Sequence, residues 1–212
     1  MNGLIGKKLG MTQVYDDKGQ HVPVTVIEAG PCVVLQRKTA KTDGYESVQL
    51  GFLPQKESRL SKAAAGHVKK AGATAQKKLA EVLVEAADEL KAGETVTAKI
   101  FEGVSHVDIS GVTKGQGYQG VVKRHRMGGG PAAHGHTSHR RIGAIGQRTW
   151  PARIMKNKRM PGHMGNLNIT VQNLRVVQVR PDDNVILVEG AVPGPTGALV
   201  LVRKAVKKAA KS

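Results

Sequence analysis

The chain has 212 residues, 40% of them hydrophobic but only 3% aromatic, with a formal net charge of +17 and a pI near 10.2. That length buries a real core, made at this composition from Val, Ile, Leu and Ala, and charge on this scale speaks for a polyanionic partner. The single cysteine, Cys32, excludes an intramolecular disulfide and any Cys-rich zinc site. With no signal-peptide-like start and no run of ~20 apolar residues, the chain is expected to be soluble, unexported and cytoplasmic.

Residues 1–50 read as β. VPVTVIEA (22–29), CVVLQRKT (32–39) and YESVQLGF (45–52) are strand-like runs separated by turn signals, DDKGQ, GP and TDG. From about 54 to 72 the chain turns polar, with Lys and Ala prominent. In 73–94, Leu79, Val82, Leu83, Ala86, Ala87 and Leu90 follow a helical period that Gly93 ends. That stretch is one helix, or a shorter helix running into a strand at AEVLVE, so 54–94 is expected to be partly helical and is a candidate small subdomain. TVTAKIF (95–101) returns to β.

GVTKGQGYQGVVKRHRMGGGP (111–131) is too rich in glycine for a helix or a regular strand, and this basic, glycine-rich character lasts to Gly165. Strand patterning resumes in NITVQNLRVVQVR (168–180), NVILVEGAV (184–192) and ALVLVRKAV (198–206), and the closing KKAAKS is expected to fray. The predicted fold class is mainly β with minor α. Its body comes from 1–110 and 167–212, interrupted by an irregular insertion over 111–166. An insertion this long and this poor in apolar residues is functional or disordered, and is expected to be loosely ordered alone and fixed by a partner.

The charge is concentrated there. No acid lies between Asp108 and Asp182, and residues 109–181 carry thirteen Lys/Arg and five of the eight histidines; the rest of the chain holds twenty basic and all sixteen acidic residues. A solvated face mixes signs, whereas a stretch purged of acids suits a surface whose counterions are fixed phosphates. His134, His136 and His139 have close spacing, but Arg140 and Arg141 adjoin them and no carboxylate is near in sequence, so no metal is expected. Nor is catalysis: the stretch has no Asp, Glu or Cys to act as base or nucleophile, and GVTKGQG lacks P-loop spacing. No cofactor or small-molecule substrate is implied.

Glycine between cations lets backbone amides approach phosphates, while Arg, His and Trp150 planes stack on unpaired bases; the competing readings are a flexible linker for the glycines and core packing for Trp150. The predicted RNA-contacting residues are Lys114, Lys123, Arg124, Arg126, His134, His136, His139, Arg140, Arg141, Gln147, Arg148, Trp150, Arg153, Lys156, Lys158, Arg159 and His163. The alternative is a basic DNA-binding architectural protein, which expects a dimer presenting a helix or arm to a groove. A long irregular insertion suits a folded RNA with internal crevices better.

MNGLIGKKLGMTQVYDDKG, DISGVTKGQGYQGVVKRH, IGAIGQ and RMPGHMGNLNITVQNLRVVQVRPDDNVILVEGAVPGPTGALVLV stand in this order, and with them the chain resembles the ribosomal protein three family of the bacterial large subunit. The resemblance implies a structural, non-enzymatic protein that binds 23S rRNA directly and early in assembly, beside neighbouring large-subunit proteins. It implies a translation-protein-type β-barrel body near the subunit surface and a central extension threading rRNA towards the peptidyl transferase centre, with its tip around Gly143 to Arg153. The family pattern appears as Phe101, Asp108, Gly111, Thr113, Gly115, Gly117, Gly120 and Arg124. Gln116 stands where relatives are usually basic, and Thr149 where many bacterial members carry a glutamine that can be N5-methylated, so no such modification is expected. Trp150-Pro151-Ala152-Arg153 is similar to the tip of archaeal and eukaryotic relatives, in which a tryptophan approaches the catalytic RNA.

Overall fold

The computed structural model describes residues 1–16, 18–84 and 90–208. The chain divides into two compact units, one made of residues 1–112 and 168–212 and the other of 113–167. In the first, six antiparallel strands close a barrel: β1 (Gly3–Tyr15), β2 (His21–Ala29), β7 (His106–Val112), β10 (Asn168–Arg180), β11 (Val185–Glu189) and β12 (Leu199–Lys204), in the spatial order β1-β12-β7-β10-β11-β2. Beside them lies a four-stranded antiparallel sheet of β3 (Cys32–Lys38), β4 (Ser47–Pro54), β5 (Gln76–Leu83) and β6 (Thr95–Val96), ordered β5-β4-β3-β6. Its connections hold a one-turn helix α1 (Ala40–Asp43) and the helix α2 (Lys62–Lys70). No helix among the described residues is long and apolar enough to cross a membrane.

One core serves barrel and sheet. Leu4, Ile27, Ile109, Ile186 and Val202 from the barrel strands join Val34, Val48, Leu50 and Val82 from the sheet, with Phe52 and Phe101, the only two phenylalanines, fully buried among them. Alternation places these residues: in β2, Ile27 and Ala29 face this core, while Val22 and Val24 turn to the other face and pack with Leu187. The barrel closes by local irregularities. Register shifts occur between Lys8 and Gly10 in β1, and between Val171 and Leu174 in β10. At the second, Asn173 has φ 58° and its N–H donates to the buried Asp108 carboxylate at 2.8 Å. Lys8 is also buried, and its ammonium donates to the carbonyls of Val192 and Gly194 at 2.9 and 3.3 Å, strapping the β11–β12 connection to the barrel.

The sequence expectations differ from the structure at three places. QKKLAEVL is a strand, β5, in which Ala80 and Val82 stand opposite Leu50 and Val48 of β4; the helix of this region is α2, upstream in the Lys/Ala stretch. Ala86 and Ala87 lie outside the described residues, as do 209–212 of the closing KKAAKS. TVTAKIF forms only the two-residue β6 before a 3-10 turn over Ala98–Phe101, which sends Phe101 into the core. Third, the glycine-rich 111–131 does hold regular structure, the short β8 (Gly117–Gln119) and α3 (Val121–His125).

Cys32 is fully buried against the Ile5 carbonyl, 3.4 Å from its sulfur, and burial pushes its thiol up to about 12. Because the thiolate is the reactive form, the native protein is expected to resist a disulfide-exchange reagent such as Ellman's, and to release one thiol equivalent per chain in guanidinium. Full labelling before unfolding would show that the core opens.

Candidate nucleic-acid interface

The chain leaves the barrel after Val112 and returns at Asn168, two residues that face each other across the β7–β10 pair. Between them, residues 113–167 form the second unit. Its two ends are bonded together: Thr113 N–H donates to the Leu167 carbonyl at 3.0 Å, Leu167 N–H to the Thr113 hydroxyl at 3.2 Å, and Gln116 N–H to the Met164 carbonyl at 2.9 Å. β8 then pairs with β9 (Gly162–Met164). Gly165, at φ 76°, makes this closeness possible, since a Cβ there would sit 2.1 Å from the Lys114 carbonyl oxygen.

Helix α3 follows, with Val121 buried, and ends where Arg126 turns left-handed at φ 57°. Its last turn reaches across to the returning segment. Arg124 Nη1 donates to the Met160 carbonyl at 2.7 Å, and His125 Nε2 donates to the same oxygen at 3.0 Å. These two side chains hold the outgoing and returning segments in register. Further out, Gly130 N–H donates to the His139 carbonyl at 2.8 Å, His139 Nδ1 to the Pro131 carbonyl at 3.0 Å, and Ser138 N–H to His136 Nδ1 at 3.2 Å. From Ile142 to Arg159 the described residues contain neither helix nor strand.

Of the predicted contact residues, Arg124 is half-buried; Lys114, Lys123, Arg126, His134, His136, His139, Arg140, Arg141, Gln147, Arg148, Trp150, Arg153, Lys156, Lys158, Arg159 and His163 are all exposed. Trp150 is 82% exposed, more than any other large hydrophobic side chain described, so it has no core role within this chain. The structure adds Tyr118, 75% exposed and directly across the β8–β9 pair from His163. An aromatic set among glycines and glutamines in GQGYQG was the available signal. Two cations of the acid-free stretch belong elsewhere: Arg175 and Arg180 lie on β10, and Arg175 Nε meets Glu189 at 2.6 Å with Asp16 at 3.8 Å. Acid-free sequence is therefore not always acid-free space, but residues 113–167 keep eleven Lys/Arg and no carboxylate.

Residues 113–167 thus present a cationic, glycine-rich surface with the exposed rings of Tyr118 and Trp150, a chemistry that suits a polyanion. The chain matches the family described as ribosomal protein L3 over residues 67–185. It is 50% identical over 208 residues to the large ribosomal subunit protein uL3 of Corynebacterium jeikeium (strain K411), spanning 98% of this chain and 95% of that one. It is 47% identical over 205 residues to the large ribosomal subunit protein uL3 of Geobacter metallireducens, spanning 97% and 98%. The chain belongs to the ribosomal protein L3 family, whose members are structural, non-enzymatic components of the ribosome.

Proposed function

We propose that this protein is a structural constituent of the large ribosomal subunit in the cytoplasm, binding 23S rRNA directly through residues 113–167 and taking its place early in assembly beside other large-subunit proteins. The observation that carries this reading is the unit's eleven cations, ten of them exposed, with no carboxylate of its own to neutralise them. Phosphate contacts of this kind release condensed counterions and fix position without reading sequence. Trp150, with Ile145, Ile154 and Met155 also exposed nearby in sequence, supplies the stacking and apolar contacts that unpaired rRNA bases accept. Thr149 leaves the tip without a methylatable glutamine at that position. The tip approaches the peptidyl transferase centre and supports the RNA that performs the chemistry.

Crosslinking in cells, with both the residues and the nucleotides identified, tests this reading. Crosslinks from 143–153 to 23S rRNA around the peptidyl transferase centre are expected. Recovery of DNA or unrelated RNAs would overturn the proposal, and crosslinks confined to the barrel would remove the extension from it.

A further inference from the structure

The net charge of the chain resides in two segments. Residues 113–167 hold eleven Lys/Arg and no acid, residues 54–78 hold seven Lys/Arg and the single acid Glu57, and all remaining residues carry fifteen of each sign. The second segment runs from the end of β4 through the connection into the start of β5, which carries Lys77 and Lys78, and its main element is α2. Ser61 caps that helix by accepting the Ala64 N–H at 3.3 Å. Val68 is buried, and His67 turns inward to meet the Gln49 side chain of β4 at 2.5 Å. At about 3.6 residues per turn, the opposite face gathers Lys62, Ala63, Gly66, Lys69 and Lys70, all exposed.

Gly66 is the informative residue. A glycine inside a helix weakens it through the entropy of the unfolded chain, and such a residue usually answers a packing need. Here a Cβ would meet nothing within 4 Å, so nothing inside the described protein asks for glycine. With Ala63 it leaves a nearly bare strip of helix backbone flanked by three ammonium groups. Lys69 lies 3.8 Å from Glu57, with both side chains more than two-thirds exposed. An exposed pair like this holds weakly and leaves the cation open to exchange. The exposed face holds only lysine, alanine and glycine, with neither an aromatic ring nor a guanidinium plane, so it has no platform for unpaired bases.

We infer that the exposed face of α2 is a second RNA-binding surface, seated on the sugar–phosphate backbone of a duplex without regard to its sequence. The bare strip admits the wide, shallow minor groove of A-form RNA at close range, and the lysines reach the phosphates on either side. This rests on the reading of the chain as an rRNA-binding protein.

Directed hydroxyl-radical cleavage tests it. Iron–EDTA is tethered to full-length protein through Ser58→Cys, an exposed position beside α2 that leaves the bare strip open, or, separately, through the exposed Ala144→Cys; the buried Cys32 stays unlabelled. Each conjugate is bound to 23S rRNA transcribed in vitro. Cuts from position 58 are expected in both strands of a duplex, distinct from the cuts at position 144. In K62Q/K69Q/K70Q protein the cuts from 58 should vanish and those from 144 persist, while the slope of log affinity against log salt shrinks by about two to three. Cuts from 144 with none from 58 would overturn this inference and leave the extension's role standing. Cuts from neither would overturn both, and cuts from 58 confined to unpaired loops would overturn the duplex assignment.

Discussion

Replacing Arg140, Arg141, Arg153 and Arg159 together with glutamine is expected to lower occupancy of the protein in purified large subunits and to flatten the salt dependence of its binding to 23S rRNA. All four side chains are exposed, so the substitutions remove charge from a surface without opening a core. Each phosphate contact contributes about 0.7 to 0.9 to the slope of log affinity against log salt, so four lost contacts reduce it by about three. Over a fourfold rise in salt the variant should therefore weaken by about 100-fold less than the parent. At low salt the two proteins differ most, and at high salt they converge. A general folding defect would instead lower the variant's affinity by the same factor at every salt concentration and leave its slope that of the parent. Unchanged occupancy and an unchanged slope would mean that these arginines face solvent in the assembled particle.

How legible this was depends on which physical signal each element carries. The barrel strands were readable because β-branched residues alternate in them; Val22, Val24 and Ile27 sort to two faces as the period of two requires. β5 was not, because Leu79, Val82 and Leu83 satisfy a helical period as well, and only pairing with β4 decides between them. As the outer strand of its sheet it tolerates Lys77, Lys78 and the 63%-exposed Leu83, which blurs alternation further. α2 was hidden for the opposite reason: a helix that buries Val68 alone leaves hardly any hydrophobic pattern to find.

In the candidate interface, the acid-free composition marked the cations, and all but Arg124 are exposed, while core packing stayed open for Trp150 until the structure showed its ring exposed. Composition does not separate a cation that contacts a partner from one that shapes the unit. Arg124 and His125 look like their neighbours in VVKRHR, yet the structure commits both to the Met160 carbonyl. Arg175 looked unneutralised until folding brought Glu189 and Asp16 to it.

Asp108, the last acid before the basic stretch, reads in sequence as part of a family pattern; in the fold its work is internal. Its carboxylate is buried and accepts the N–H of Asn173 at 2.8 Å through one oxygen and that of Val206 at 3.4 Å through the other. Asn173 is where β10 carries its extra residue against β7, and a bulge leaves a backbone donor that the sheet cannot satisfy. Asp108→Ala is expected to cost about 2–3 kcal/mol, the usual range for removing a charged acceptor from buried donors. Asp108→Asn keeps one acceptor oxygen for the shorter bond and should lose about half as much. Urea unfolding of full-length protein measures both, and a loss below about 0.5 kcal/mol for the alanine variant, the scale of an ordinary surface change, would show that the bulge holds without the carboxylate. The consequence extends beyond stability, because β7 and β10 are the strands that lead into and out of residues 113–167, with Val112 opposite Asn168 at their ends. A slip of one residue in that pair exchanges the faces of the strand that moves and takes Val112 and Asn168, from which the extension starts and to which it returns, out of their pairing. The alanine variant should therefore lose rRNA affinity at temperatures where its barrel is still folded, while its salt slope stays that of the parent, since no phosphate contact has been removed.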